Sequence, residues 1–529
     1  MKRIIFVLII VLFMFSLLPI RLYSLMVKQT EFAAVSNSTK EIILSELRGE
    51  IYDCNMKKLV NNTQENIIIV HPEKENSDLL YNLIDENEYS RLLECFDSGK
   101  PFVCNSVIDN EKFPTAEIFR RYTDSGFCCH VVGYINAEDN KGVSGIEKSF
   151  DTLLKEDNRR LLYVYNTTAQ NKILAGGRNE IVSQNYYSVK GVQLTIDYNI
   201  QKIAENAMWL YGVDKGAVVV MDSSNGEIRA MASTPKFNQN DIQSSLDNKD
   251  SPFINRAVNS YCVGSVFKLV VAATAVKEGK TNFVSYCNGS VSISEKTFAC
   301  SSHTAHGNVD IRKAMAHSCN TYFIRLALEL GAEKILATAE NMGFGKSFTL
   351  ADGFFNSSGT LPQIEDVMNN GEIANLSFGQ GGLLSTPLQV ACCYSSAVNG
   401  GNFIEPKLIK NFVNADGGFY NNKSSQYVYR AFAKGESDIL KDILINDFTE
   451  GTCVSSKPEN CIAGGKTSTA QTGWIDEKGE EILHGWFAGF VQTSGTVYTI
   501  VVFKENAVSG SEDCGPVFKE IAERIANNY

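Results

Sequence analysis

The chain has 529 residues, 44% hydrophobic and 21% charged, a composition that allows two to four packed domains at roughly 150 residues each and excludes a disordered polymer or a polytopic membrane protein. Its 49 Lys and Arg stand against 60 Asp and Glu, a net charge of −11. That acidic balance lacks the clustered basic surface that tracks phosphates, so nucleic acid is excluded as a partner.

The first element is the apolar run IIFVLIIVLFMFSLLPI at 4–20, preceded by Lys2 and Arg3 and followed by Arg21. Extended by Leu22, Leu25, Met26 and Val27, it spans a hydrocarbon layer of ~30 Å at about 1.5 Å per residue. The basic residues ahead of it place the amino terminus in the cytoplasm and the rest of the chain outside. A cleaved signal peptide is the competing reading, but no A-x-A-like site follows the run. Residues 1–27 are therefore expected to be a cytoplasmic tail and single-pass transmembrane helix.

Residues 28–187 are polar and Asn-rich, with strand-like pieces such as NIIIV (66–70) and LLYVY (161–165), and no periodic helix dominates. They are read as an extended mixed pedestal domain. A strand and an amphipathic helix follow at 191–212, with Ile200, Ile203, Ala204 and Ala207 on one face, and the domain boundary is placed just before them. GAVVVMD (216–222) and EIRAMAS (227–233) form a hairpin, because Asn225-Gly226 supplies the positive φ values such a turn wants. GGKTSTAQ, HGWFAGFV and TVYTIVVF add three strands near the other end, the stretch 253–400 is helical in pattern, and GPVFKEIAERIAN closes the chain as a helix. The fold class of 188–529 is α+β, an antiparallel sheet covered by helices with a helical insertion. No repeat of 20 to 50 residues is present.

Ser265-Val266-Phe267-Lys268 opens a strongly apolar helix directly after Gly264. Serine and lysine at i and i+3 share a helical face, so the amine can reach the hydroxyl. In the first turn the macrodipole opposes a lysine charge, and burial against Phe267 and Leu269 lowers the amine's pKa further, which makes a serine with a built-in base. Alone, the pattern also fits a capping serine beside a solvated lysine. Two more pieces add to it: Ser318-Cys319-Asn320 after the helical IRKAMAHS, and Lys466-Thr467-Ser468-Thr469 on a strand. GGKT matches the end of a phosphate-binding loop, but the earlier glycine that loop requires is Asn460 here, so that reading fails.

The order S-x-x-K, S-x-N, K-T-x on helix, loop and strand is similar to that of the penicillin-recognising serine acyltransferases. The likeness extends through RLYSL, RGEIYD, GVSGIEKSFD (142–151), LTIDYNIQ (194–201), INRAVNSYCVGSVFK, GQGGLLSTPLQVA (379–391), VNGGNFIEPK, HGWFAGF and CGPVFKEIAERI. On these residues the chain resembles a class B penicillin-binding protein, a D,D-transpeptidase of peptidoglycan, with the penicillin-binding transpeptidase fold over 188–529. The resemblance implies that Ser265 attacks the penultimate D-Ala carbonyl of a stem peptide, releases the terminal D-Ala and forms an acyl-enzyme. It implies Lys268 as the base, Ser318 and Asn320 as proton relay and amide holder, and Lys466 tuning Ser318. Thr467 would bind the terminal carboxylate, and the N–H groups of Ser265 and Thr469 would form the oxyanion hole. No cofactor is required for catalysis. β-Lactam antibiotics are the implied inhibitors, and with no glycosyltransferase domain in the pedestal, a membrane glycosyltransferase is the implied partner. A β-lactamase or carboxypeptidase using water as acceptor, and an acylation-incompetent scaffold, are the alternatives.

Three positions depart from the family pattern. Ser468 replaces the usual glycine of K-T-G, on the same strand face as Lys466, where its side chain is expected to crowd the acyl group and slow penicillin acylation. Val263 replaces the usual proline before Gly-Ser, and Asp53-Cys54-Asn55-Met56 stands where DRNG is usual.

Fourteen cysteines are many for a chain placed outside the cytoplasm, and the doublets Cys128-Cys129 and Cys392-Cys393 make a simple disulfide ladder awkward. Cys287, Cys300, His306 and Cys319 fall within 33 residues around the S-x-N loop, three thiolates and one imidazole, which is the complement of a structural zinc site. A Cys287–Cys300 disulfide and free buried thiols are the other readings. His484 and the TPLQ segment (386–389) are expected to serve packing and architecture rather than chemistry.

Overall fold

The computed structural model describes residues 38–529 apart from 85, 106–112, 137, 157, 169–172, 175–178, 294 and 421–425, together with positions 15, 17, 19, 21 and 23. The expected transmembrane helix thus lies almost wholly outside the described residues, and its five described positions are helical. Among the described residues, no helix is long and apolar enough to cross a membrane.

The chain forms two compact units. One comprises residues 1–48, 61–121 and 156–188; the other comprises 49–60, 122–155 and 189–529. In the first unit, Ser38–Leu47, Arg159–Thr167 and Asn179–Gln184 form an antiparallel sheet, and Thr63–Val70 lies between Phe102–Asn105 and Thr115–Arg120 in another. The strand-like NIIIV and LLYVY pieces lie in these sheets, and they supply Ile67, Ile69, Leu161, Tyr163 and Tyr165 to the unit's apolar core.

The expected boundary at 188 falls at the last break between the units, but the pedestal is not one continuous stretch. Residues 49–60 and 122–155 belong to the second unit because their apolar side chains are buried there. Glu50–Tyr52 pairs in parallel with Gly191–Leu194. Ile51, Val131, Val132, Ile146 and Leu154 join the same core cluster as Phe267 and Leu269. The DCNM departure is a tight turn in this stretch: the Asp53 carboxylate accepts from the amides of Asn55 at 2.8 Å and Lys57 at 2.7 Å, and Met56 takes a φ of 66°.

The elements that position the site follow in chain order: helix α1 (Tyr198–Leu210), strands β1 (Gly216–Asp222) and β2 (Ile228–Thr234), and helices α2 (Lys268–Lys277), α3 (Asn320–Leu330), α4 (Pro387–Val398) and α5 (Lys434–Glu450). Strands β3 (Ile462–Ile475), β4 (Glu481–Gln492) and β5 (Val497–Lys504) and helix α6 (Gly515–Asn528) complete them. The five strands form one antiparallel sheet in the order β2-β1-β5-β4-β3, which joins the two ends of the segment as the sequence pattern requires and leaves β3 at an edge.

Strand β1 is buried along its whole length and sorts its side chains by parity. Ala217, Val219 and Met221 enter the core that holds Phe267 of the turn leading into α2, whereas Val218 and Val220 enter the core built by Ile200 and Ala204 of α1 and Phe518 and Ile521 of α6. Helix α2 is therefore a buried central element, exposed only at its last residue, Lys277. The TPLQ segment is architecture, as expected: Thr386 and Gln389 form a reciprocal capping box at the start of α4.

Candidate active site

The turn before α2 is a single 3-10 turn, Gly264–Phe267, that carries Ser265 and delivers Lys268 into the helix. It needs glycine at 264, where φ is 60° and any Cβ would meet the Ser468 hydroxyl and the Ala470 side chain. The S-x-N segment bridges the short helix Ile311–Ala316 and α3. Ser318 sits there in the left-handed region at φ 52°, a costly conformation for a residue other than glycine and one that clusters at functional sites. Backbone bonds from Ser318 to the Met315 carbonyl and from Cys319 to the Ala314 carbonyl hold the turn.

Three elements converge here. Lys268 is fully buried, and its Nζ donates to the Ser318 carbonyl at 2.7 Å, the Ser318 hydroxyl at 3.1 Å and the Asn320 Oδ1 at 2.6 Å. The Ser318 hydroxyl in turn donates to Ser265 Oγ at 3.1 Å. The expected direct reach from Lys268 to Ser265 is thus not made among the described residues, because the amine is turned toward the S-x-N segment and Ser318 stands between lysine and nucleophile. Burial, joined by the nearby charge of Lys466, lowers the Lys268 amine to about 7. For a proton to leave Ser265 both series bonds turn round, Ser265 donating to Ser318 and Ser318 to the lone pair of a neutral Lys268 amine, whose two hydrogens keep the bonds to the Ser318 carbonyl and Asn320 Oδ1.

Strand β3 supplies the opposite wall. Lys466 is fully buried, 3.5 Å from the equally buried Asp447 of α5, and donates to Thr452 Oγ1 at 3.1 Å. Burial raises the Asp447 carboxyl to about 6, against the opposing pull of Lys466. The Thr467 hydroxyl donates to Thr452 Oγ1 at 2.7 Å, and Thr469 is exposed with its hydroxyl accepting from the Gly510 amide at 3.1 Å. Asp447 and Thr452 carried no signal in the sequence, since neither belongs to a recognisable motif and each meets Lys466 only through the fold.

The Ser468 side chain, expected to crowd the acyl group, is engaged with the turn before α2. It is 3% exposed and donates to the Val263 carbonyl at 2.8 Å, tying the edge strand to the turn that carries Ser265. Val263, the second departure, is fully buried in the apolar core. His484 packs between Tyr261 and Phe503, at ring separations of 5.6 and 5.3 Å, and burial lowers its pKa, as a packing residue's should be.

The four metal-ligand candidates meet in space. Their donor atoms all lie within 4.8 Å of one another, with Cys287 and Cys300 sulfurs 3.7 Å apart, Cys300 and Cys319 sulfurs 3.9 Å apart, and the Cys287 sulfur 3.3 Å from His306 Nδ1. A tetrahedron of thiolates at ~2.3 Å from a zinc ion has sulfur separations of about 3.8 Å, so the donor set fits that ion. A disulfide needs sulfurs at about 2.05 Å, well below the 3.7 Å between Cys287 and Cys300. The cluster touches the catalytic turn twice: Cys319 lies between Ser318 and Asn320, and the Asn320 amide donates to the carbonyl of Ala299, beside Cys300, at 2.8 Å.

The fold and site define a serine acyltransferase of the penicillin-recognising type. Residues 216–523 match the family model described as "Penicillin binding protein transpeptidase domain". Among curated relatives, Stage V sporulation protein D of Bacillus subtilis is 27% identical over 516 residues, covering 89% of this chain and 76% of that protein. Peptidoglycan D,D-transpeptidase MrdA of Acinetobacter baumannii is 26% identical, covering 75% of this chain and 65% of that protein. Penicillin-binding protein 3 from the tuberculosis mycobacterium, solved with aztreonam, superposes with a TM-score of 0.66 at 21% identity over 92% of this chain and 97% of that one. A chain from a peptidoglycan synthase complex superposes with a TM-score of 0.71 at 23% identity over 98% of both. The chain belongs to the penicillin-binding protein transpeptidase family, among its class B D,D-transpeptidases.

The position of Ser468 generates a first prediction. Ser468→Gly removes the bond to the Val263 carbonyl and loosens the strand, so it is expected to cost about 1–3 kcal/mol of stability and to leave penicillin acylation no faster than in the natural protein. Chemical denaturation and stopped-flow labelling check this; faster acylation at unchanged stability would restore the crowding interpretation.

Proposed function

We propose that this chain cross-links peptidoglycan stem peptides through an acyl ester on Ser265. The observation that carries the reading is the unbroken series Ser265, Ser318, Lys268, set against Lys466 on the edge strand. Ser265 Oγ attacks the penultimate D-Ala carbonyl while its proton passes through Ser318 toward the neutral Lys268 amine. The C–N bond to the terminal D-Ala breaks, and that amine leaves carrying a proton from the same relay. Peptide N–H groups of Ser265 and Thr469 hold the oxyanion, and Asn320 holds the stem-peptide amide. An acceptor amine then attacks the ester, its proton returns through the relay, and Ser265 is released. One amide bond replaces another, so no nucleotide is consumed. The relatives' names and the intact relay favour this over hydrolysis or a scaffold that cannot be acylated.

The apolar run at 4–20 supports a single-pass anchor with residues 28–529 outside the cytoplasm. The match to a chain of a peptidoglycan synthase complex supports a membrane glycosyltransferase as partner, and the aztreonam-bound relative supports inhibition by β-lactams. Cys287, Cys300, His306 and Cys319 would hold a structural zinc, whose part is to fix Cys319 and thereby aim Ser318 and Asn320.

Fluorescent penicillin should form a long-lived adduct on the Ser265 peptide, and Ser265→Ala should abolish it; rapid turnover would indicate a hydrolase and no adduct a scaffold. Because Lys268 accepts a proton only when neutral, the acylation rate is expected to rise about tenfold per pH unit up to about 7 and to level off above it. A flat profile through that range would remove Lys268 from the base role. Metal analysis of the purified chain should find one zinc, lost in Cys300→Ser; metal-free protein with all four side chains readily alkylated would refute the site.

A further inference from the structure

In the first unit, Lys40 of the strand Ser38–Leu47 and Tyr165 of the strand Arg159–Thr167 lie directly opposite in the antiparallel register, so both side chains stand on one face of the sheet. It is the core face, because Ile42 and Tyr163, two positions along each strand, pack in the apolar cluster of this unit. The Tyr163 hydroxyl is bonded to His71 Nε2 at 2.8 Å. Tyr165 stacks on Tyr163 at a ring separation of 6.0 Å and is 2% exposed, yet its hydroxyl makes no hydrogen bond among the described residues. A buried hydroxyl without a partner is rare enough in a native fold to need a reason.

Tyr165 lines a cavity of about 560 Å³ whose other charged groups are mostly cations. Lys40, Lys74 and Lys100 border it against a single carboxylate, Glu73, in a chain whose net charge is −11. Lys74 and Lys100 are exposed and make no ion pair among the described residues. Lys74 also opens the helix Lys74–Tyr81, and its N-cap residue Glu73 makes no side-chain bond to the amides of the first turn. Ammonium groups, a phenol O–H and a helix N-terminus around one cavity are the donor set of an anion site. A phosphate offers that ring more accepting oxygens than the two of a carboxylate. Only residues 28–39 separate Lys40 from the end of the apolar run, a length of chain that reaches at most roughly 45 Å, so lipid phosphates are within range as well as soluble ones.

We propose that this cavity is a phosphate-binding site, with Tyr165 and the three lysines as its donors, that takes the phosphate of an anionic phospholipid headgroup or a soluble phosphate. It lies wholly within the first unit and does not depend on the acylation chemistry. Filled by a lipid phosphate, it fastens that unit to the membrane surface.

The test titrates the full-length chain in neutral detergent with inorganic phosphate and, separately, with glycerophosphoglycerol, the deacylated headgroup of phosphatidylglycerol, reading saturable binding by phosphorus NMR. Tyr165→Phe leaves every charge in place and removes only the hydroxyl. It is expected to weaken binding about fivefold while the melting temperature stays level or rises, since that hydroxyl has no partner among the described residues. Lys74→Gln combined with Lys100→Gln is expected to weaken binding about tenfold, and Glu73→Gln to tighten it about threefold. Tighter binding of glycerophosphoglycerol identifies a lipid as the source of the phosphate, and tighter binding of inorganic phosphate identifies a soluble one. No saturable binding of either probe overturns the proposal. Binding unmoved by Tyr165→Phe overturns it too, because attraction to exposed lysines alone needs no built site.

Discussion

The active site is organised around a lysine that has been taken out of water. A buried ammonium without partners is among the more costly groups a fold can hold, and the usual escape is to lose the proton. Lys268 meets that constraint with three acceptors from one short segment, the carbonyl and hydroxyl of Ser318 and the amide oxygen of Asn320. The same bonds draw the S-x-N segment against the helix that begins at Lys268, next to the turn that carries Ser265. Structural need and chemical need therefore coincide, because the contacts that accommodate the amine also place a relaying hydroxyl 3.1 Å from Ser265.

A second buried lysine sharpens the arrangement. Lys466 has its own counter-ion in Asp447 and its own acceptor in Thr452. Burial first, and then the neighbouring charge of Lys466, lower the pKa of the Lys268 amine. Asp447 bears on Lys268 in two opposed ways: it pairs with Lys466, whose charge lowers the Lys268 pKa, and its own carboxylate raises it.

Much of this was legible in the sequence, for identifiable reasons. Both ends of the sheet were readable because β-branched and aromatic runs, an Asn-Gly turn and long amphipathic helices are local signals. Ser265, Lys268, Ser318, Asn320 and Lys466 were readable because each lies in a short motif. Positions fixed by packing were not. The side chain of Ser468 could be placed on the correct strand face, but only the fold shows that this face lies against the Val263 carbonyl. Lys268 shares a face with Ser265 as the spacing requires, yet its long side chain is drawn off by better acceptors on another element. Residues 49–60 and 122–155 read as pedestal because nothing local tells a strand that pairs within one unit from a strand that pairs within another.

The thiol cluster shows how far residue type alone can lead. Spacing of C-x12-C-x5-H-x12-C matches no standard finger, yet the donor atoms gather within 4.8 Å. Packing alone would not require this, since a buried thiol behaves as a small apolar group and gains little from facing two others and an imidazole. The close thiols also compete as donors: Cys300 is held toward the thiolate chiefly by the bond it accepts from Cys319, while Cys319 is pushed the other way by that same bond. A shared cation would relieve the competition by letting every sulfur be an acceptor at once. Cys319 is flanked in sequence by Ser318 and Asn320, both bonded to Lys268. A group that fixed the sulfurs would therefore also hold the segment that bears Ser318 and Asn320, which the Lys268 bonds hold from the other side.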